Sequence, residues 1–307
     1  MTMRMTRLHR RLAAGGAAVA VAVGCLVYGI TVSSSPTAPP WRAVWVAGFA
    51  GPPGAGVDPR VWMYRTGEDA FVGTHEVATM SDSTRNVHVD GHGALNIVVT
   101  GHGAGSDGGV WTSGRIQTRR LFEAPAGGEM LVTAQIWQPD PANGIGYWPA
   151  FWMLGVHGWP RSGEIDILED INALSTHSGG VHCGNLTHRN PDGTYGPCRE
   201  GDGIGSGRLP CPGCQRGFRT YSVIIDRRDA ARQQIRWYFE GREFFSVSES
   251  RVGRAAWTAA FDHGLSIVLD VAVGGAYPDI VCRCVSPTAR TSSGAAMTVR
   301  DLAVYVN

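Results

Sequence analysis

The sequence predicts an all-β fold built as a sandwich of two sheets, and three observations predict it. Short runs alternate apolar and polar residues: Val87 to Val99, Met130 to Trp137, Tyr221 to Asp226, Ile235 to Phe239, Leu265 to Val273 and Met297 to Tyr305. Their period is near two, and they are rich in Val, Ile, Trp and Tyr, as strands are. Turn pairs such as Asp90-Gly91, Asn143-Gly144 and Glu240-Gly241 separate them. Composition agrees: 42 glycines and a charged fraction of 17% suit many tight turns better than long charged helices.

Taking the elements in order, residues 1–32 read as a signal peptide or an N-terminal membrane anchor. Arg4, Arg7, Arg10 and Arg11 precede an apolar run from Leu12 to Val32, and a Ser/Pro/Ala-rich linker, 33–40, follows. At 21 residues the run is long enough to stay as an anchor. Either outcome places the following domain outside the cytoplasm, because the arginines hold the N-terminus inside. Residues 41–307 then form a single β-sandwich domain, with no repeat and only one short helix, near Val252 to Phe261. Residues 183–216 are rich in Gly and Cys with little periodicity, and read as a long disulfide-pinned loop on one rim.

Cysteine usage fits export. Beyond Cys25 in the leader there are six: Cys183, Cys198, Cys211, Cys214, Cys282 and Cys284. An even number in an exported chain implies disulfides. The rival is zinc, because Cys211-Pro-Gly-Cys214 has ligand spacing. Cys282 and Cys284, one residue apart, are expected to bridge elsewhere rather than to each other.

Charge narrows the function. The formal net charge is +1, and four arginines in the acid-free first eleven residues leave −3 for the rest. A chain that tracks phosphates normally shows a basic surplus, so no nucleic-acid partner is expected. All 27 basic residues are Arg. The absence of lysine excludes Schiff-base catalysis and the Walker lysine.

The segment Ser162-Gly-Glu-Ile-Asp-Ile-Leu-Glu-Asp170 is the most informative stretch. Glu164, Ile165, Asp166 and Ile167 alternate as a half-buried strand would, and a β-bulge at Ile167-Leu168 would return Glu169 to the acidic face. Three acids on one face repel, so at least one pKa should rise. Glycosidases need that asymmetry, one carboxylate ionised and one still protonated, and retaining ones hold the pair roughly 5–5.5 Å apart. A solvated acidic edge or a calcium site could use the same residues.

This strand follows Tyr147-Trp-Pro-Ala-Phe-Trp-Met-Leu154 and Gly158-Trp-Pro-Arg-Ser-Gly163. Together they resemble glycoside hydrolase family 16, most closely its laminarinase-type endo-β-1,3-glucanases. The resemblance runs over most of residues 56–305, including Thr84 to Gly91, Gly180 to Cys183 and Leu269 to Gly275. It implies a concanavalin A-like jelly roll of two curved antiparallel sheets. It also implies a retaining mechanism with Glu164 as nucleophile, Glu169 as acid/base and Asp166 orienting the nucleophile. The residue inserted before Glu169 resembles the bulged signature, which points to the β-1,3-glucanase side of the family.

Trp148, Trp152 and Trp159 suit stacking on sugar rings, with core packing as the alternative. His182 matches a histidine near the cleft of relatives, and Asn86 and Arg115 match positions that bind sugar hydroxyls. Relatives often begin the domain with an acidic strand that helps to hold calcium. Here the place reads Ala47-Gly48-Phe49, leaving Asp301 as one possible ligand, so no metal or other cofactor is expected. Asp270 stands where relatives often carry Asn. The expected substrate is a β-glucan and the expected state a monomer, touching a membrane only through an uncleaved anchor. A galactan-type substrate, transglycosylation and a non-catalytic glucan-binding module remain alternatives.

Overall fold

The structure, a computed structural model, describes residues 40–67, 74–104 and 109–307. The segment expected to direct export, residues 1–32, and residues 33–39 of the expected linker lie outside the described residues.

In chain order the first strands are β1 (Arg42–Val46), β2 (Trp62–Tyr64), β3 (Thr79–Met80), β4 (Val87–Val89), β5 (Leu95–Val98), β6 (Thr100–His102), β7 (Val110–Ser113) and β8 (Arg115–Thr118). There follow β9 (Glu129–Trp137), β10 (Tyr147–Leu154), β11 (Glu164–Glu169), β12 (Thr176–His182), β13 (Ile204–Gly205), β14 (Leu209–Pro210) and β15 (Arg219–Asp226). The last are β16 (Gln234–Phe239), β17 (Arg242–Ser248), α1 (Glu249–Val252), α2 (Arg254–Phe261), β18 (Ser266–Val273), α3 (Ala276–Cys282) and β19 (Ala296–Val306).

Two large sheets result. One runs β17-β16-β15-β9-β19-β5-β4, with β1 also on β19, and the other runs β13-β12-β11-β10-β18-β8-β2, with β14 on β12. Every pairing within both is antiparallel. Hairpins link β15 to β16 to β17 and β10 to β11 to β12, whereas β9 and β18 pair with strands far away in sequence. This is the jelly-roll pattern of an all-β sandwich. At the β16–β17 turn, Glu240 and Gly241 both take positive φ (48° and 74°), as a two-residue hairpin loop demands.

The period-two pattern sorts side chains between core and cleft. On β10, Tyr147, Phe151 and Met153 enter the main core, while Ala150 and Trp152 form a separate cluster with Val268 on the opposite face. On β18, Ile267, Leu269, Val271 and Val273 point into the core. On β11, Ile165, Ile167 and Leu168 do the same. Each such side chain, fully buried, contributes about 1.5–3 kcal/mol. That inward set fixes which residues of the β10/β11/β18 sheet face outward.

Two sequence expectations need correction. The helical segment near Val252 to Phe261 appears as α1 and α2, but α3 was not anticipated. Its signal was Pro278 and Asp279 in the first turn after Gly275. Cys282 and Cys284 do pair with each other: Arg283 takes a left-handed conformation at the end of α3 (φ 55°), which brings the two Cα atoms to 5.2 Å. Cys183 pairs with Cys198 and Cys211 with Cys214, so the latter two are disulfide partners rather than zinc ligands.

Candidate active site

The acidic strand carries the predicted bulge. Along β10, Ala150 faces Glu169 and Phe151 faces Leu168, but Trp152 faces Asp166, which skips Ile167. Along β12, Gly180 faces Asp166 and Ser178 faces Glu169, so Ile167 and Leu168 together oppose Gly179. The extra residue puts Glu169 on the face of Glu164 and Asp166. All three line one open pocket of about 360 Å³, together with Thr74, Glu76, Arg115, Trp148, Trp152 and Asp270.

A tryptophan from the other sheet holds the bulge. Trp237 on β16 donates its indole N–H to the carbonyl of Asp166 at 2.6 Å. Gly179 makes the room: a Cβ there would lie 2.5 Å from Trp237 Cδ1. A buried carbonyl released from the ladder is thereby satisfied.

Other indoles hold the carboxylates. Trp148 donates to Glu169 at 2.9 Å, and its ring stands edge-on to Tyr277 of α3 at 5.7 Å. Trp159 stands near Glu164 and lowers its carboxyl pKa. Trp152 donates to Asp270 at 2.7 Å. Trp148 and Trp152 thus each commit the indole N–H to an acid.

Arg115 and Asp270 form a buried pair on the pocket floor, with Arg115 donating through Nε (3.1 Å) and one terminal nitrogen (2.8 Å). Glu76 lies 3.5 Å from the same guanidinium. An acid at position 270 is thus explained: it is the counter-ion of Arg115 and the acceptor for Trp152. Asn86 lies elsewhere. It is 2% exposed and spends its amide on Val98 O (2.9 Å) and Thr100 (3.3 Å), a structural task and not a wall of the pocket.

Burial raises all three strand acids. Glu164 is pushed up to about 8 by burial, with the charges of Glu169 and Glu200 adding, against Asp166 and Trp159, which pull it down. Asp166 is raised well above the usual range by burial and then by the charges of Glu164 and Glu169. The two also act on each other, Asp166 lowering Glu164 and Glu164 raising Asp166. Glu169 is also raised, by burial first, with Trp148 and His182 opposing. His182 sits 3.7 Å from Asp166 on one side and 2.7 Å from Glu200 on the other. Chemically this is a set of coupled, raised carboxyls that keeps protons near neutral pH.

Glu164, Asp166 and His182 offer donor atoms within 4.8 Å of one another. His182 already engages Glu200 through Nδ1 at 2.7 Å. The place where relatives carry a calcium strand does not fit that ion. Ala47 and Phe49 are core residues, and the Asp301 side chain is 68% exposed beside Arg300.

With fold and site in view, comparison with known proteins is informative. The family model described as "XgeA-like, catalytic GH16 domain" matches residues 62–195. A crystal structure of an endo-1,3-beta-glucanase from Streptomyces sioyaensis is 37% identical, covers 89% of this chain and 99% of its own, and superposes with a TM-score of 0.77. The endo-beta-1,3-glucanase of Pyrococcus furiosus is 26% identical over 86% of this chain and 94% of its own, with a TM-score of 0.65. A "Beta-glucanase" of Rhodothermus marinus is 27% identical over 90% of each chain. The chain belongs to glycoside hydrolase family 16. It is a glycosidase of that family.

Proposed function

We propose that this protein is an exported, retaining endo-hydrolase of β-1,3-linked glucan. The observation that carries the reading is the bulged strand: it sets Glu164, Asp166 and Glu169 on one pocket wall, each in its own hydrogen-bond arrangement. Glu164, in its ionised form and beside Asp166, attacks the anomeric carbon. Glu169, kept protonated by burial and held by Trp148, gives its proton to the leaving oxygen. The glycosyl–enzyme ester is then hydrolysed by a water that Glu169 deprotonates. Asp166, on the same face between the two glutamates, positions Glu164.

Relatives supply the substrate class, since the similar structures from Streptomyces sioyaensis and Pyrococcus furiosus are of endo-1,3-β-glucanases. The pocket's charge supports an uncharged chain. Glu76, Glu164, Asp166, Glu169 and Asp270 face it against Arg115, which disfavours sulfated galactans. Export is supported by the basic-then-apolar leader and by the three disulfides.

Reducing-end release by the purified protein tests this on laminarin, a mixed-linkage glucan, agarose and keratan sulfate. The reading expects laminarin to be the best substrate and products to span many lengths early. Preference for agarose would move the assignment to galactans. No release from any of the four by the folded protein would favour a binding module.

A further inference from the structure

His182 ends β12 and pairs in register with Glu164. Its ring is enclosed on several sides. Nδ1 lies 2.7 Å from Glu200 Oε2, Nε2 lies 3.7 Å from Asp166 Oδ2, and the Trp159 ring is 5.6 Å away. Gly203 closes the socket, because a Cβ there would stand 2.8–2.9 Å from Cε1 and Nε2.

Glu200 is built into the loop that the sequence marked as disulfide-pinned. It is 1% exposed. Its second oxygen accepts the backbone N–H of Cys183 at 2.7 Å, and its own backbone exchanges hydrogen bonds with Tyr195. The Cys183–Cys198 disulfide ties the loop to the residue that follows His182. A buried carboxylate is costly unless it is paired, and this one is paired with the imidazole and a backbone N–H. Because Nδ1–H is given to Glu200, the atom presented to the acidic strand is Nε2.

We propose that Glu200 is a positioning residue for the reaction: it fixes His182 so that an imidazolium Nε2–H points at Asp166 and its positive charge offsets the crowded acids of β11. This rests on the hydrolytic reading of Glu164 and Glu169. The titratable groups facing His182 are Glu200 from the loop and Glu164, Asp166 and Glu169 from β11. Burial alone would lower His182, but the Glu200 hydrogen bond and the fields of Asp166, Glu200 and Glu169 lift it to about 9. His182 in turn lowers Asp166 and Glu169. Removing the cation therefore raises the acids, and both limbs of the pH–rate profile move to higher pH.

The test compares wild type with Glu200→Gln and His182→Gln. Nitrogen-15 NMR of the histidine rings is expected to show His182 doubly protonated past pH 8 in wild type, and titrating at least one unit lower in Glu200→Gln. This arm needs no activity, so it decides the proposal even if laminarin is not cleaved. On laminarin, His182→Gln should shift the pH profile upward by roughly half a unit to one unit, and Glu200→Gln should shift it less, because it also removes the charge that raises Glu164. Glu200→Asp, which keeps the charge, should restore most of the wild-type position and serves if Glu200→Gln does not fold. A His182 that titrates near its ordinary value in wild type overturns the proposal. So does a variant that loses Tm and kcat while its profile and His182 midpoint stay put, which would make Glu200 a loop anchor alone.

Discussion

Replacing Trp237 with Phe removes the indole N–H that reaches the Asp166 carbonyl at 2.6 Å while leaving a ring in the core. The orphaned carbonyl should cost about 1–3 kcal/mol. The missing pyrrole ring leaves on the order of 40 Å³ of cavity, about 1 kcal/mol more at the usual ~24 cal/mol per Å³. The sum, about 2–4 kcal/mol, corresponds to a Tm loss of about 4–7 °C for a domain of this size. Activity should fall further than stability explains. The carbonyl belongs to the residue between the two reacting glutamates, and a displacement of ~1 Å there costs on the order of 10²-fold. Denaturant melts and laminarin kinetics on the folded variant check both halves. A variant within about 0.5 kcal/mol of wild type and with unchanged kcat would refute the view that Trp237 shapes the bulge.

Other consequences follow from the same geometry. Asp270→Asn strips Arg115 of its nearer counter-ion; Glu76 and the amide oxygen remain, so a loss of about 1–2 kcal/mol is expected by denaturant titration, below the ~3–5 of a fully broken buried pair. Glu164→Gln should raise Tm, and more at pH 8 than at pH 5. The folded pKa of Glu164 is raised to about 8, so its favourable contribution is complete below the unfolded value and is lost as pH climbs through 8, a loss that Gln does not suffer. Differential scanning calorimetry at the two pH values reads this directly, and an equal shift at both would contradict it. Thiol titration of denatured residues 41–307 should find no free cysteine, whereas two thiols would remove one of the three disulfides.

Much of this was legible in the sequence because its physics is local. Period-two runs became β9, β15, β16, β18 and β19 within a few residues. The bulge could be read from Glu169 falling one residue out of step with Glu164 and Asp166. What sequence reading missed is the long-range pairing of polar groups. Trp237 and Asp166 are 71 residues apart, Arg115 and Asp270 are 155 apart, and Glu200 reaches His182 across a loop of 18. No periodicity marks such partners. Asn86 fits the family pattern by position, yet its amide is consumed by Val98 and Thr100 in this chain. The Cys282–Cys284 pair depended on one residue, Arg283, adopting a left-handed conformation that non-glycine residues seldom take.

If Glu164 attacks carbon and Glu169 handles the proton, the configuration at carbon is retained, and the anomer released first from laminarin reveals it. Proton NMR during the first minutes of digestion should show the β-anomer at the new reducing ends, appearing before mutarotation supplies the α. If the α-anomer appears first, water has displaced the leaving group directly. Glu164 would then be a general base, and the nucleophile assignment would be wrong.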